Sequence, residues 1–148
     1  MKKLIATVAL VASLAGASVM GSASPAAADA KGCTFYGSHS FAGYTAPAGS
    51  YCATVVGSGT RVNGVQGEFY APNLCNYDVT AEFFTNTWQY RRTFVSGHNY
   101  GCAYGSAWMP YIPVNSTIQA LTGTSTGYMC STLRVAGQRV TSVCHYIR

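Results

Sequence analysis

The sequence predicts an all-β fold, specifically a small antiparallel β-sandwich stapled by disulfides, and three observations carry that prediction. Six cysteines, Cys33, Cys52, Cys75, Cys102, Cys130 and Cys144, all follow an N-terminal export signal, and an even set of thiols in a small exported domain reads as three disulfides. The chain holds eleven Tyr, six Phe and two Trp, every one of them after Ala30, among many Thr, Val and Gly, whereas helix-favouring Glu, Lys and Leu are scarce there. Short alternating runs are separated by Gly, Asn, Pro and Ser clusters, with no helical periodicity.

The leader delimits the domain. Lys2 and Lys3 form a charged start, Leu4 to Ala17 a short apolar stretch, and Ala28-Asp29-Ala30 fits the A-x-A rule for cleavage before Lys31. Residues 1–30 are therefore expected to be a signal peptide and 31–148 one secreted domain. No stretch suits a membrane span. Removing 30 residues from 148 leaves 118, enough for a modest core that benefits from covalent staples.

Within the domain, Gly57-Ser58-Gly59 reads as a turn, and Asn63-Gly64 between Val62 and Val65 as the tip of a hairpin. Asp78 to Ser96 reads as a second hairpin. With a two-residue turn at Asn86-Thr87, Val79 faces Phe94, Phe83 faces Tyr90, and Glu82 falls beside Arg91 on the other face. Arg92 then shares the apolar face, its head either reaching water or stacked on a ring. Pro110 and Pro113 bracket Tyr111-Ile112 and argue for an edge or loop. Asn115-Ser116-Thr117 matches a glycosylation acceptor but reads as a plain polar loop. A last hairpin places Leu133–Val135 against Arg139–Val143 around Ala136-Gly137-Gln138, with Cys130 and Cys144 seven residues either side of Gly137. Spacing pairs Cys130 with Cys144, and by the same local logic Cys33 with Cys52 and Cys75 with Cys102.

Charge and motifs narrow the chemistry. From Lys31 onward seven basic residues oppose three acidic ones, a net charge of +4. The basic residues are dispersed, without the dense stripe of a nucleic-acid binder. His39, His98 and His145 are isolated in sequence, so no metal site and no cofactor is expected. There is no G-x-S-x-G elbow, and Glu68 and Glu82 alone do not make a glycosidase pair. The expectation is a protein that is not an enzyme.

Recognition suits the composition better. Tyr, Trp and Arg are enriched at interfaces and Lys is depleted, and this domain has a single Lys, Lys31. The stretch Trp108-Met109-Pro110-Tyr111 is expected to protrude as an apolar loop, making Trp108, Met109 and Tyr111, with Arg92, the candidate binding residues.

A short exported β-domain that starts just before Gly32-Cys33, carries six cysteines and places Asn99-Tyr100-Gly101-Cys102 after an aromatic hairpin resembles the small adaptor subunit of the umbrella toxin particles of filamentous soil bacteria. The resemblance implies a disulfide-stapled module joining a large toxin-bearing subunit to a lectin-like subunit in a secreted antibacterial complex. It carries over no specific contact residue. The expected function is thus an extracellular protein-recognition module whose partners are other secreted subunits. The alternatives are a carbohydrate-binding module using Trp108 and Tyr111, a protein inhibitor, and a small secreted hydrolase.

Overall fold

The computed structural model describes residues 30–41 and 43–148; of the expected signal peptide only Ala30 falls among them. The described elements run β1 (Lys31–Tyr36), β2 (His39–Phe41), β3 (Tyr44–Ala46), β4 (Gly49–Ser58), β5 (Arg61–Thr85), β6 (Tyr90–Val95), β7 (Asn99–Trp108), β8 (Ile112–Thr117), the helical turn α1 (Ile118–Thr122), β9 (Gly127–Val135) and β10 (Gln138–Ile147). The fold is all-β and antiparallel, as the composition predicts.

β5 organises it. Drawn straight, its 25 residues would span about 80 Å, far beyond a domain of this size, so the strand must bend. It does so at Pro72–Asn76, where its ladder with β7 shifts register twice and Asn76 takes φ 53°. Before the bend, β5 pairs with β4 on one edge and with β7 and β8 on the other. After it, β5 pairs with β9 and β6. One strand thus belongs to two layers, β1-β4-β5-β7/β8 and β6-β5-β9-β10.

The layers pack face to face. Tyr51 of β4 and Ser131 of β9, both fully buried, share a hydrogen bond of 2.6 Å between their hydroxyls. The buried His145 ring of β10 lies 3.2 Å from the Ala53 carbonyl of β4. Between these contacts sit Val55, Phe69, Val79, Phe83, Met129 and Leu133, the inward members of alternating strands. At α1, Thr117 caps the N-terminus, Gly123 closes the C-terminus at φ 79°, and Ile118 and Leu121 join the core.

Three disulfides link Cys33 to Cys52, Cys75 to Cys102 and Cys130 to Cys144. Each joins two residues directly opposite each other in a ladder: β1 with β4, β5 with β7, and β9 with β10. The pairs are those that local spacing suggests, and such bonds fit a protein of an oxidising, extracellular environment.

Four sequence expectations need correction. Asn63-Gly64 is not a hairpin tip. The β4–β5 turn is Gly59-Thr60, and Asn63 bulges within β5. Gly64 is required because a Cβ there would collide with the Tyr111 ring and the Ile112 carbonyl. Between β5 and β6 the Thr85 amide donates to the Gln89 carbonyl at 2.9 Å, so the turn inside that pair holds three residues, Asn86-Thr87-Trp88, with Trp88 at φ 61° and its N–H donating to the Thr85 carbonyl at 3.0 Å. Thr85 Oγ1 accepts from the Thr87 and Gln89 amides and favours this longer turn. The extra residue, together with a bulge at Arg91, moves Phe83 opposite Arg92 and Glu82 opposite Thr93, so the Glu82–Arg91 pair does not form. Third, Met109 N–H donates to the Gly67 carbonyl at 2.9 Å, so the apolar stretch continues the β7 ladder toward β8 instead of protruding. Fourth, Asn115 lies in β8, at φ 49°, rather than in a loop.

Candidate functional site

The outer face of each layer carries large rings in solvent. In β1, β4, β5 and β7 the residues paired across the ladders share a side. One row therefore runs Phe35, Ser50, Tyr70, Ser106, and the next Cys33, Cys52, Glu68, Trp108. Phe35 is 89% exposed, Tyr70 and Trp108 63% each, more aromatic surface than folding alone accounts for. Lys31 Nζ lies 2.9 Å from Glu68 Oε2 and 5.8 Å from the centre of the Trp108 ring, and Ser106 Oγ reaches the other Glu68 oxygen at 3.4 Å. A groove between Phe35 and Tyr70 opens on this face.

The outer face of the second layer holds an aromatic ladder. Tyr90, Phe84, Tyr128 and Tyr146 stand opposite one another across β6, β5, β9 and β10, with adjacent ring centres at 6.0 Å for Phe84–Tyr90 and 5.0 Å for Tyr128–Tyr146. Trp88 lies on top. Its indole stacks on Tyr128 at 4.0 Å with the planes 15° apart, and it remains half exposed. A tryptophan at φ 61° occupies a backbone position that Gly or Asn fills at much lower cost. The stacking on Tyr128, with Phe84 tilted against the indole at 5.8 Å, offsets part of that cost.

The sequence candidates fare unequally. Trp108 is exposed at the end of β7, and Tyr111 is partly exposed while its ring covers Gly64. Met109 is only 3% exposed and belongs to the core, because the ladder that continues through it turns its side chain inward; it is withdrawn as a contact residue. Arg92 is exposed on β6 opposite Phe83, beside the second half of β5, so Trp108 and Arg92 do not form one surface. Phe35, Tyr70, Trp88, Tyr128 and Tyr146 were missed. The cystines held the signal: with Cys130 opposite Cys144, Tyr128 must stand opposite Tyr146 on the same side, and with Cys33 opposite Cys52, Phe35 must stand opposite Ser50.

The titratable groups are held in place by the fold. His98 bridges Asp78 Oδ2, 3.0 Å from Nδ1, and Asn76 Oδ1 at Nε2, and its ring packs 4.4 Å from Tyr100. With both nitrogens engaged, this His–Asp pair has no ring position left to activate a nucleophile. Glu68 pairs with Lys31, whereas Glu82 accepts from Thr80 Oγ1 at 3.2 Å in the other layer. Burial lowers the His145 pKa and raises that of Tyr51. Among the described residues no cluster of three or more His, Cys, Asp or Glu could hold a metal ion. Comparison with protein-family models, curated proteins and solved structures finds no match to the chain.

Proposed function

We propose that the protein is a secreted recognition module, an adaptor subunit of an extracellular assembly with no catalysis of its own, and that a protein partner docks on the Trp88 ladder. The observation that carries this reading is Trp88, a large ring kept at φ 61° and stacked on Tyr128 while half exposed. Rigid, partly buried tryptophan and tyrosine are the residues from which binding hot spots are built, since they offer area with little rotamer entropy to lose. Backbone strain concentrates where the strained side chain is used. An adaptor also needs a second contact surface, and the Phe35–Tyr70–Trp108 face on the other layer supplies one. The antibacterial toxin complex that the sequence resembles is the setting in which such a subunit would work.

The test is capture from culture fluid. The immobilised protein should retain a stoichiometric protein partner, and Trp88→Gly should lose it. That substitution removes about 1 kcal/mol of backbone strain together with about 0.5–1.5 kcal/mol of ring stacking, so the melting temperature should barely move. Capture unaffected by Trp88→Gly would refute the assignment of the ladder.

A further inference from the structure

We infer that the free edge of β7 is a self-association site, to which β7 of a second copy of this chain adds antiparallel about a two-fold axis at Tyr104. The contact lies away from the Trp88 ladder and does not depend on the function proposed for that ladder.

β7 is paired on one side only. β5 takes its inner edge, and among the described strands none takes its outer edge. The ladder itself shows which backbone groups are left open. Met109 N–H donates to the Gly67 carbonyl at 2.9 Å, and bonded and non-bonded pairs alternate along an antiparallel ladder. Trp108 and Ser106, in the non-bonded pairs with Glu68 and Tyr70, therefore turn their N–H and C=O groups outward. Cys102 does the same, since its Cα lies 4.0 Å from that of Cys75, the close spacing of a non-bonded pair. Tyr104 continues this series at the same phase of the strand. Gly105, at φ 68°, sits where β5 sets Pro72 and Asn73 against Tyr104 alone, and side chains alternate on both sides of it. Ala103 and Ala107 pack on the core, while Tyr100, Tyr104 and Trp108 are 85%, 69% and 63% exposed.

An open row of backbone donors and acceptors is a template for another strand. Natural edges are guarded against this by charge or proline, and the other strands of the main sheet that have a single partner follow the rule: β1 carries Lys31, β6 Arg91 and Arg92, β8 Pro113, and β10 Arg139. β7 is ten residues long and has neither. It also complements itself. A two-fold axis at Tyr104 sets this residue against its own copy, Tyr100 against Trp108 of the second copy, and Cys102 against Ser106 of the second copy, all on the exposed face. On the inner face Ala103 meets Gly105 and Gly101 meets Ala107, small residues that let the strands close. Ring pairs directly opposite each other stabilise such a ladder. The charges beside Trp108 are Lys31 and Glu68, joined to each other at 2.9 Å, so no unpaired charge opposes the second copy at that end.

Sedimentation of the full secreted chain over a range of concentrations tests the inference. A ladder of ten residues is about 33 Å long and makes a small interface, so the dimer should be weak, with a Kd of about 10 to 300 μM. Tyr104→Lys and Tyr104→Glu, at an exposed position, should each abolish it with an unchanged melting temperature, because like charges then meet at the axis. An equimolar mixture of the two variants should dimerise again, since opposite charges now face each other. Trp88→Gly should leave the dimer intact. A parent chain still monomeric at about 1 mM, a Tyr104→Lys chain that dimerises as well as the parent, or a mixture that stays monomeric would overturn the inference. A monomeric parent whose capture of a protein from culture fluid is lost in Tyr104→Lys would give the edge to a foreign strand, and would overturn it too. Dimerisation is read without any captured protein, so it and capture through Trp88 fail separately.

Discussion

Removing one hydroxyl from the core should show how the two layers are held together. Tyr51 and Ser131 are both fully buried, and their hydroxyls meet at 2.6 Å across the sandwich. Tyr51→Phe leaves the Ser131 oxygen without a partner, and Ser131→Ala does the same to the Tyr51 oxygen. Each single change should cost about 1–3 kcal/mol, the desolvation penalty of an orphaned hydroxyl rather than the smaller net value of the bond. The double variant strands neither group. Its loss should be close to that of one single change, giving a coupling energy of about 1–2 kcal/mol. Urea denaturation of the four proteins measures it, provided the slope with denaturant stays constant. If the single effects add to within about 0.3 kcal/mol, the hydroxyls do not face each other, and the packing of β4 on β9 is wrong.

Three further outcomes follow from the same architecture. Alkylation without prior reduction should modify none of the six cysteines, and reduction should destabilise the domain strongly, each bridge contributing about 2–5 kcal/mol; a single labelled cysteine in the unreduced protein would break the scheme. Phe83→Ala, at a fully buried position, should cost about 3–5 kcal/mol, whereas Glu82→Ala, which removes the hydrogen bond from Thr80 at a partly exposed position, should cost about 1 kcal/mol or less; equal costs would mean the faces of β5 are exchanged. His145 is held neutral by burial, its folded pKa below the unfolded value, so its contribution is complete above about pH 6.5 and is lost as pH falls through and below that value. His145→Gln should flatten this acid-side decline in melting temperature, and an unchanged profile would show that the ring is solvated.

Strand identity and the cystine pairing were legible because both are local. Alternation over Val79–Phe83 marks an inward face whatever the partner strand, and Cys130 and Cys144 flank a turn that Ala136-Gly137 can close at φ 50° and 76°. The sharing of β5 between layers was not legible, since Pro72 and Asn76 read as a break between strands rather than as a bend within one. Register in the β5–β6 hairpin failed for a tertiary reason. Asn86-Thr87 is an acceptable two-residue turn, but the Trp88 ring gains a stacking partner on β9 only if Trp88 joins the turn, and that contact lies forty residues away in sequence. Met109 failed similarly, because an apolar run between prolines looks exposed until the Gly67 carbonyl claims its amide.

The two tryptophans stand on opposite layers, and this permits a direct test of the proposed docking surface. With Trp108→Phe, Trp88 is the sole tryptophan, and excitation at the red edge of the indole band, where tyrosine does not absorb, reads it alone. Addition of the protein captured from culture fluid should shift its emission to the blue and protect it from acrylamide quenching, while the converse variant, Trp88→Phe, should show no such change at Trp108. A Trp88 that stays as accessible to acrylamide in the complex as in the free protein would contradict the account.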